Sequence, residues 1–322
     1  MEGSAEALAK LVADELAQPV ADSVNQLAEA IRSRTGAGTA AVLFYGSCLR
    51  KRSDAGVLDF YVLVDAYRDA NPGRALALAN ALLPPNVFYI EHRREAGMLR
   101  AKYAVVSLRD FRRGAAGRWL RTGIWARFSQ PVRAVYLRDA AARADVVAAC
   151  AESVIALLER TLPLLPGEGE RIRTSAAELW QTAFRETYAA ELRPETPDAI
   201  RGLFLDQPDR YAKAAQLAAL ELQERGRLRV LAPGEPLEIE LPAGERRRRR
   251  RLARLRRPLA KLAYVAQLLK TAFTFGDWLP YALWKLERHS GARLVPSERQ
   301  RRHPILFGMP LLVRALRQRA LR

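Results

Sequence analysis

Cysteine and histidine are nearly absent: two of the first (Cys48, Cys150) and three of the second (His92, His289, His303) in 322 residues. Two cysteines build neither a disulfide framework nor a thiolate zinc site, and the histidines lack metal-ligand spacing. No run reaches the roughly 18 uninterrupted apolar residues of a transmembrane helix. The opening MEGSAEALAKLVADELAQPV has no basic segment leading into an apolar run, so it does not read as a secretory signal. The expected setting is therefore cytoplasmic, with any membrane met from one side, at the inner face of the cell membrane. Acids are scarce in one region only. From Arg246 to Arg322, 21 Lys and Arg face three acids (Asp277, Glu287, Glu298), which accounts for the entire net charge of +18. The preceding residues hold 32 of each sign. A neutral body thus carries a strongly cationic tail. With 49% apolar and 27% charged residues, the composition is that of a globular chain, long enough for two units with their own cores.

Apolar positions at helical spacing (Leu8, Leu11, Val12, Leu16; then Val20, Val24, Leu27, Ile31) predict two helices parted near Pro19. Four runs rich in strand formers follow: residues 40–45, 57–64, 86–90 and 102–107, with a helix over 74–83. This gives a mixed α/β unit over residues 1–136. Residues 137–245 read as helical, broken at Pro163 to Gly167 and at Pro194 to Pro197 and closed by a small hairpin at 228–241, which suits a winged-helix-like module. Pro242 to Glu245 reads as a hinge before a basic amphipathic tail, 246–322.

The sharpest chemical signal is Tyr45-Gly46-Ser47 at the end of one strand, with Asp59 on the next. Glycine at a strand-to-helix junction lets backbone approach phosphate oxygens closely, and the serine hydroxyl adds a donor. A carboxylate on the neighbouring strand can hold Mg²⁺ against those oxygens. That combination is the signature of the polymerase-beta-like nucleotidyltransferase superfamily. The common form has two acids one residue apart, whereas here Tyr61 stands two after Asp59 and the next acid is Asp65. On a straight strand the two would be roughly 20 Å apart. A metal held by both Asp59 and Asp65 thus requires a chain that turns back. Asp59 inside an apolar run is costly to bury unpaired, so a metal or cation partner is expected.

The departure matches one family. Tyr45-Gly-Ser47, Leu58-Asp-Phe60 leading to Val64-Asp65, Asn86-Val-Phe-Tyr89, Lys102-Tyr-Ala-Val-Val-Ser-Leu108, and Trp119 through Arg127-Phe-Ser-Gln-Pro131-Val132 together resemble the mitochondrial-type CDP-diacylglycerol synthases, the translocator assembly and maintenance proteins. The resemblance spans roughly residues 40–136. The chain departs from it at Ala104 and Ala126, where the family has glycine, and at Ile90-Glu91. The resemblance implies CTP and phosphatidic acid as substrates, giving CDP-diacylglycerol and pyrophosphate. It implies Tyr45, Gly46 and Ser47 at the nucleotide, Asp59 and Asp65 at Mg²⁺ (with Mn²⁺ or Co²⁺ as substitutes), and Lys102 offsetting phosphate charge. The rival readings are another acceptor, or a degenerate nucleotidyltransferase that binds nucleic acid or anionic membrane. Glu91 and Asp110 read as surface acids, and Trp180, Phe184 and Tyr188, at helical four-spacing, read as core.

In the tail, six arginines (Arg246, Arg247, Arg248, Arg249, Arg250, Arg251) precede Leu252, Leu255, Leu259, Leu262, Ala266 and Leu269, an apolar stripe bordered by Arg254, Lys261 and Lys270. Pro258 is expected to start a new helix. Phe273, Phe275, Trp278, Tyr281 and Trp284 form an aromatic cluster beyond. Cationic helices with Leu and Trp opposite are what an interfacial anchor on anionic lipid needs, and a nucleic-acid contact is the competing use of an arginine run.

Overall fold

A computed structural model describes residues 3–70, 73–95, 97–191 and 195–274. Helices α1 (Ser4–Leu16) and α2 (Asp22–Thr35) lead into β1 (Thr39–Tyr45), a one-turn α3 (Ser47–Arg50) and β2 (Val57–Val64). Next come α4 (Tyr67–Ala70), α5 (Arg74–Leu82), β3 (Asn86–Arg94), β4 (Gly97–Ser107), α6 (Leu108–Ala115), α7 (Gly123–Phe128) and β5 (Arg133–Leu137). The five strands form one mixed sheet in the order β3-β4-β2-β1-β5, in which β2 and β4 run parallel and every other pair antiparallel. The expected strands are all present, and β5 is an addition at the edge beyond β1.

Alternation divides the sheet into two faces. Val42, Phe44, Leu58, Phe60, Val62 and Val64 pack under Val24, Leu27 and Ile31 of α2. Ala41, Leu43, Tyr61, Leu63, Ala104 and Val106 face the other way, into a larger core with α1, α6 and α7. That core continues past residue 136 without a break. Helix α8 (Ala140–Thr161), capped by Asp139 accepting from the Ala142 N–H at 2.7 Å, lies in it. So do α9 (Ala176–Ala190), α10 (Pro197–Leu205) and α11 (Pro208–Glu224). Trp180 and Phe184 are fully buried there.

Strands β6 (Arg171–Thr174), β7 (Arg229–Ala232) and β8 (Leu237–Glu240) make a second, antiparallel sheet in the order β6-β8-β7. The hairpin was expected. The third strand, β6, was not, because Arg-Ile-Arg-Thr carries a single apolar residue, Ile172, facing the core.

Two expectations about the tail are corrected. Instead of a hinge at 242–245 and a new helix at Pro258, one helix, α12, runs from Ala243 to Thr274 with Pro258 inside it. Pro258 lies on the exposed side, one turn from Leu255 and Leu262, where the carbonyl it leaves without a backbone donor is on the solvent side of the helix. The arginine run is also divided by the helix. Arg246 is buried and donates to the carbonyls of Leu165 (2.6 Å), Gly167 (3.3 Å) and Gly169 (3.2 Å). Arg250 donates to Pro163 O at 2.6 Å, and Arg249 pairs with Glu245 at 2.6 Å. Only Arg247, Arg248 and Arg251 of the six turn outward, around a cavity of about 390 Å³ shared with Gly244, Leu252 and Leu255. Arg254 and Lys261 are exposed as well. Phe275, Trp278, Tyr281 and Trp284 lie outside the described residues.

Candidate functional site

Strand register brings four of the singled-out residues to one place. Tyr45 pairs with Asp59 across β1 and β2, Asp59 with Lys102 across β2 and β4, and Lys102 with Tyr89 across β4 and β3. All four share the parity of the Tyr61 face, so they form one row across the sheet at the end where β1 gives way to Gly46 and Ser47. Gly46 adopts φ +91°, a conformation that favours glycine. A Cβ there would stand 3.1 Å from Asp59 Oδ2, so backbone and carboxylate are in direct apposition. Ser47 is exposed and opens α3, and Cys48 behind it donates its thiol to Val57 O at 3.4 Å, tying the turn to β2. Burial, and then the charge of Asp59, push the Cys48 thiol up from its ordinary pKa. The helix after Gly46-Ser47 is a single turn, so the close approach of backbone at Gly46 is what the junction offers.

The cation expected beside Asp59 is Lys102, whose Nζ lies 3.3 Å from Asp59 Oδ1. One row further along the same face, Glu91 accepts from Tyr89 Oη (2.8 Å) and from Arg100 Nε (3.2 Å). Residues 89, 91, 100 and 102 alternate as polar positions on two paired strands, a period-two signal that the sequence carried.

Asp65 is elsewhere, which corrects the shared metal site. Strand β2 stays paired with β1 from Asp59 opposite Tyr45 to Val64 opposite Thr39, with one register shift between Thr39 and Ala41, so the chain does not turn back. Asp65 follows at the far end, where its N–H donates to Gly38 O at 2.9 Å and its carboxylate is paired with Arg138. Six strand residues put it roughly 20 Å from Asp59. Asp110 accepts from Tyr67 Oη at 2.8 Å. Among the described residues no three His, Cys, Asp or Glu side chains gather as metal ligands.

Behind the row, Tyr45 and Tyr61 pack edge to face at 5.4 Å and both meet Phe128. Next to them lies a buried pair that the sequence reading missed as a pair: Arg127 of α7 donates to both carboxylate oxygens of Glu191, at 3.0 and 2.6 Å. Burial opposes the charge of Arg127, and the Glu191 carboxylate outweighs it and holds the guanidinium protonated. Thr122 Oγ1 donates to Glu191 Oε1 at 3.3 Å and lies 3.1 Å from Tyr264 Oη of α12. Further along α12, Gln267 accepts from Arg121 (3.0 Å) and donates to Pro85 O (2.6 Å), while Lys270 reaches Pro85 O and Asn86 Oδ1, both at 2.8 Å. Helix α12 is therefore fastened polar side inward, from the turn after α8 to the edge of the five-stranded sheet. Its apolar residues Leu255, Leu262 and Leu269 are 68%, 67% and 61% exposed. No described helix is long and apolar enough to cross a membrane.

No protein-family model matches the chain, and a search of curated proteins finds no match.

Proposed function

We propose that this chain is a nucleotidyltransferase of polymerase-beta-like fold that transfers the cytidylyl group of CTP to phosphatidic acid at an anionic membrane surface. The observation that carries the reading is the row of Tyr45, Asp59 and Lys102 at the sheet end where β1 gives way to Gly46 and Ser47. The helix, strand, helices and hairpin order with strand order β6-β8-β7 supports the winged-helix-like module expected after the sheet. The reaction forms a bond between a phosphatidate oxygen and the α-phosphorus of CTP. It breaks the bond to the bridging oxygen, and pyrophosphate leaves. The attacking oxygen is already ionised at neutral pH, so positioning and charge neutralisation are the main demands. Gly46 and Ser47 would hold the triphosphate, and Lys102 would balance the charge on the departing pyrophosphate.

The donor set fits a magnesium ion. Asp59 is one partly exposed carboxylate, and Mg²⁺ is commonly bound by one or two carboxylates completed by substrate phosphates. Mn²⁺ or Co²⁺ would suit the same oxygens. When bound, such an ion neutralises charge on the phosphoryl oxygens.

The outward apolar face of α12, with Arg247, Arg248, Arg251, Arg254 and Lys261 beside it, supports peripheral attachment to anionic lipid at the cytoplasmic side. The single carboxylate, already paired with a lysine, favours one rival: a degenerate fold that binds membrane or nucleic acid. Pyrophosphate release decides between them, measured with Mg²⁺, each of the four nucleoside triphosphates, and vesicles with or without phosphatidic acid. Release only with CTP and phosphatidic acid is expected. Release with another nucleotide, or without lipid, would move the substrate, and silence with vesicles still bound would make the attachment itself the function.

A further inference from the structure

Asp59 is the one carboxylate in its row. Its Oδ1 faces the Lys102 ammonium at 3.3 Å, and its Oδ2 lies on the Gly46 side, 3.1 Å from where a Cβ on that glycine would stand. The next acid on the same face, Glu91, is engaged by Tyr89 and Arg100. A bare divalent cation arriving here meets a neutral pair and an ammonium that repels it. A nucleoside triphosphate changes both terms: its oxygens supply the ligands the protein lacks, and they give Lys102 a second anion to face. The Asp59–Lys102 pair is a single contact with side-chain exposures of 25% and 32%, so solvent reaches it and its attraction is screened. We propose that Lys102 holds the cation position beside Asp59 until a nucleotide arrives, so that divalent metal and nucleotide each bind more tightly when the other is present. The inference rests on Asp59 being the metal-holding residue of the reading above. Coupling of this sort is reciprocal, so metal tightens nucleotide by the same factor that nucleotide tightens metal.

The test is Mn²⁺ binding, read as free ion by electron paramagnetic resonance, with the whole chain and no turnover. Wild type, Lys102→Met, Lys102→Arg and Asp59→Asn are titrated with Mn²⁺ alone and with a non-hydrolysable α,β-methylene analogue of CTP. Wild type is expected to bind Mn²⁺ alone no better than Asp59→Asn. Lys102→Met is expected to bind it about fivefold tighter or more. Lys102→Arg keeps the charge and is expected to behave as wild type, which separates the loss of the cation from any loss of packing. The analogue is expected to tighten Mn²⁺ more in wild type than in Lys102→Met. Unchanged Mn²⁺ affinity in Lys102→Met overturns the proposal, as does wild type binding Mn²⁺ equally with and without the analogue. Equal binding by wild type and Asp59→Asn with the analogue present overturns the metal role of Asp59 itself, and the gate with it.

Discussion

Asp59 is the third residue of a strand otherwise made of Val, Leu, Phe and Tyr, and its cost of burial is met by a lysine from the adjacent parallel strand. Asparagine is nearly isosteric but carries no charge. Asp59→Asn is therefore expected to lower pyrophosphate release by about a hundredfold or more while the protein still binds vesicles. Gly46→Ala tests the neighbouring position. A methyl group there enters a positive-φ conformation and comes within 3.1 Å of Asp59 Oδ2. Destabilisation of about 1–3 kcal/mol is expected in denaturant unfolding, together with loss of turnover. The expected cation partner of Asp59 was legible because an acid inside an apolar run needs one. The separation of Asp65 was legible as the roughly 20 Å of a straight strand; its partner Arg138, 73 positions on, was not.

At the scale of elements, apolar runs with strand formers identified β1, β2 and the end of β4, which are buried on both faces, and the apolar start of the edge strand β3. Strands β5 and β6 are short and edge-bound; β6 has arginines at its exposed positions, and β5 opens on a buried arginine, Arg133. The continuity of α12 through Pro258 was hidden for a different reason. The penalty for proline falls where packing on the far side of the helix is strong, and that packing comes from residues more than 70 positions away. Two predictions belong to this scale. Glu191→Gln leaves the Arg127 charge buried without its carboxylate and is expected to cost about 3 kcal/mol, with the loss partly recovered in Arg127→Met/Glu191→Gln. Burial, and then the charge of Arg121, push Lys270 down to about 7. Between that value and about 10.4 the unfolded chain holds a proton that the folded chain has shed. Stability therefore rises with pH across this window and is flat in this group below it. Melting of wild type and Lys270→Met at pH 7 and 9.5 checks the sign: wild type should gain relative to the variant at the higher pH.

For the whole molecule, the inverted arrangement of α12 sets polar anchors against the body and leucines toward solvent. Substituting Leu255→Asp together with Leu262→Asp is expected to abolish cosedimentation with anionic vesicles while leaving the melting temperature within a few degrees, because both side chains are more than three-fifths exposed. Attachment that persists in the double variant would assign it to another surface. The parallel pairing of β2 with β4 also governs how the protein comes into being. Lys102 reaches Asp59 only after the intervening chain through α4, α5 and β3 has brought β4 alongside β2, and the Tyr45–Asp59 contact in turn needs β1 seated against β2. None of these contacts is local, so no fragment short of the assembled sheet holds the site. In a refolding experiment the Asp59–Lys102 contact would be among the late events, after helix formation, since loop closure must precede any gain from such distant partners.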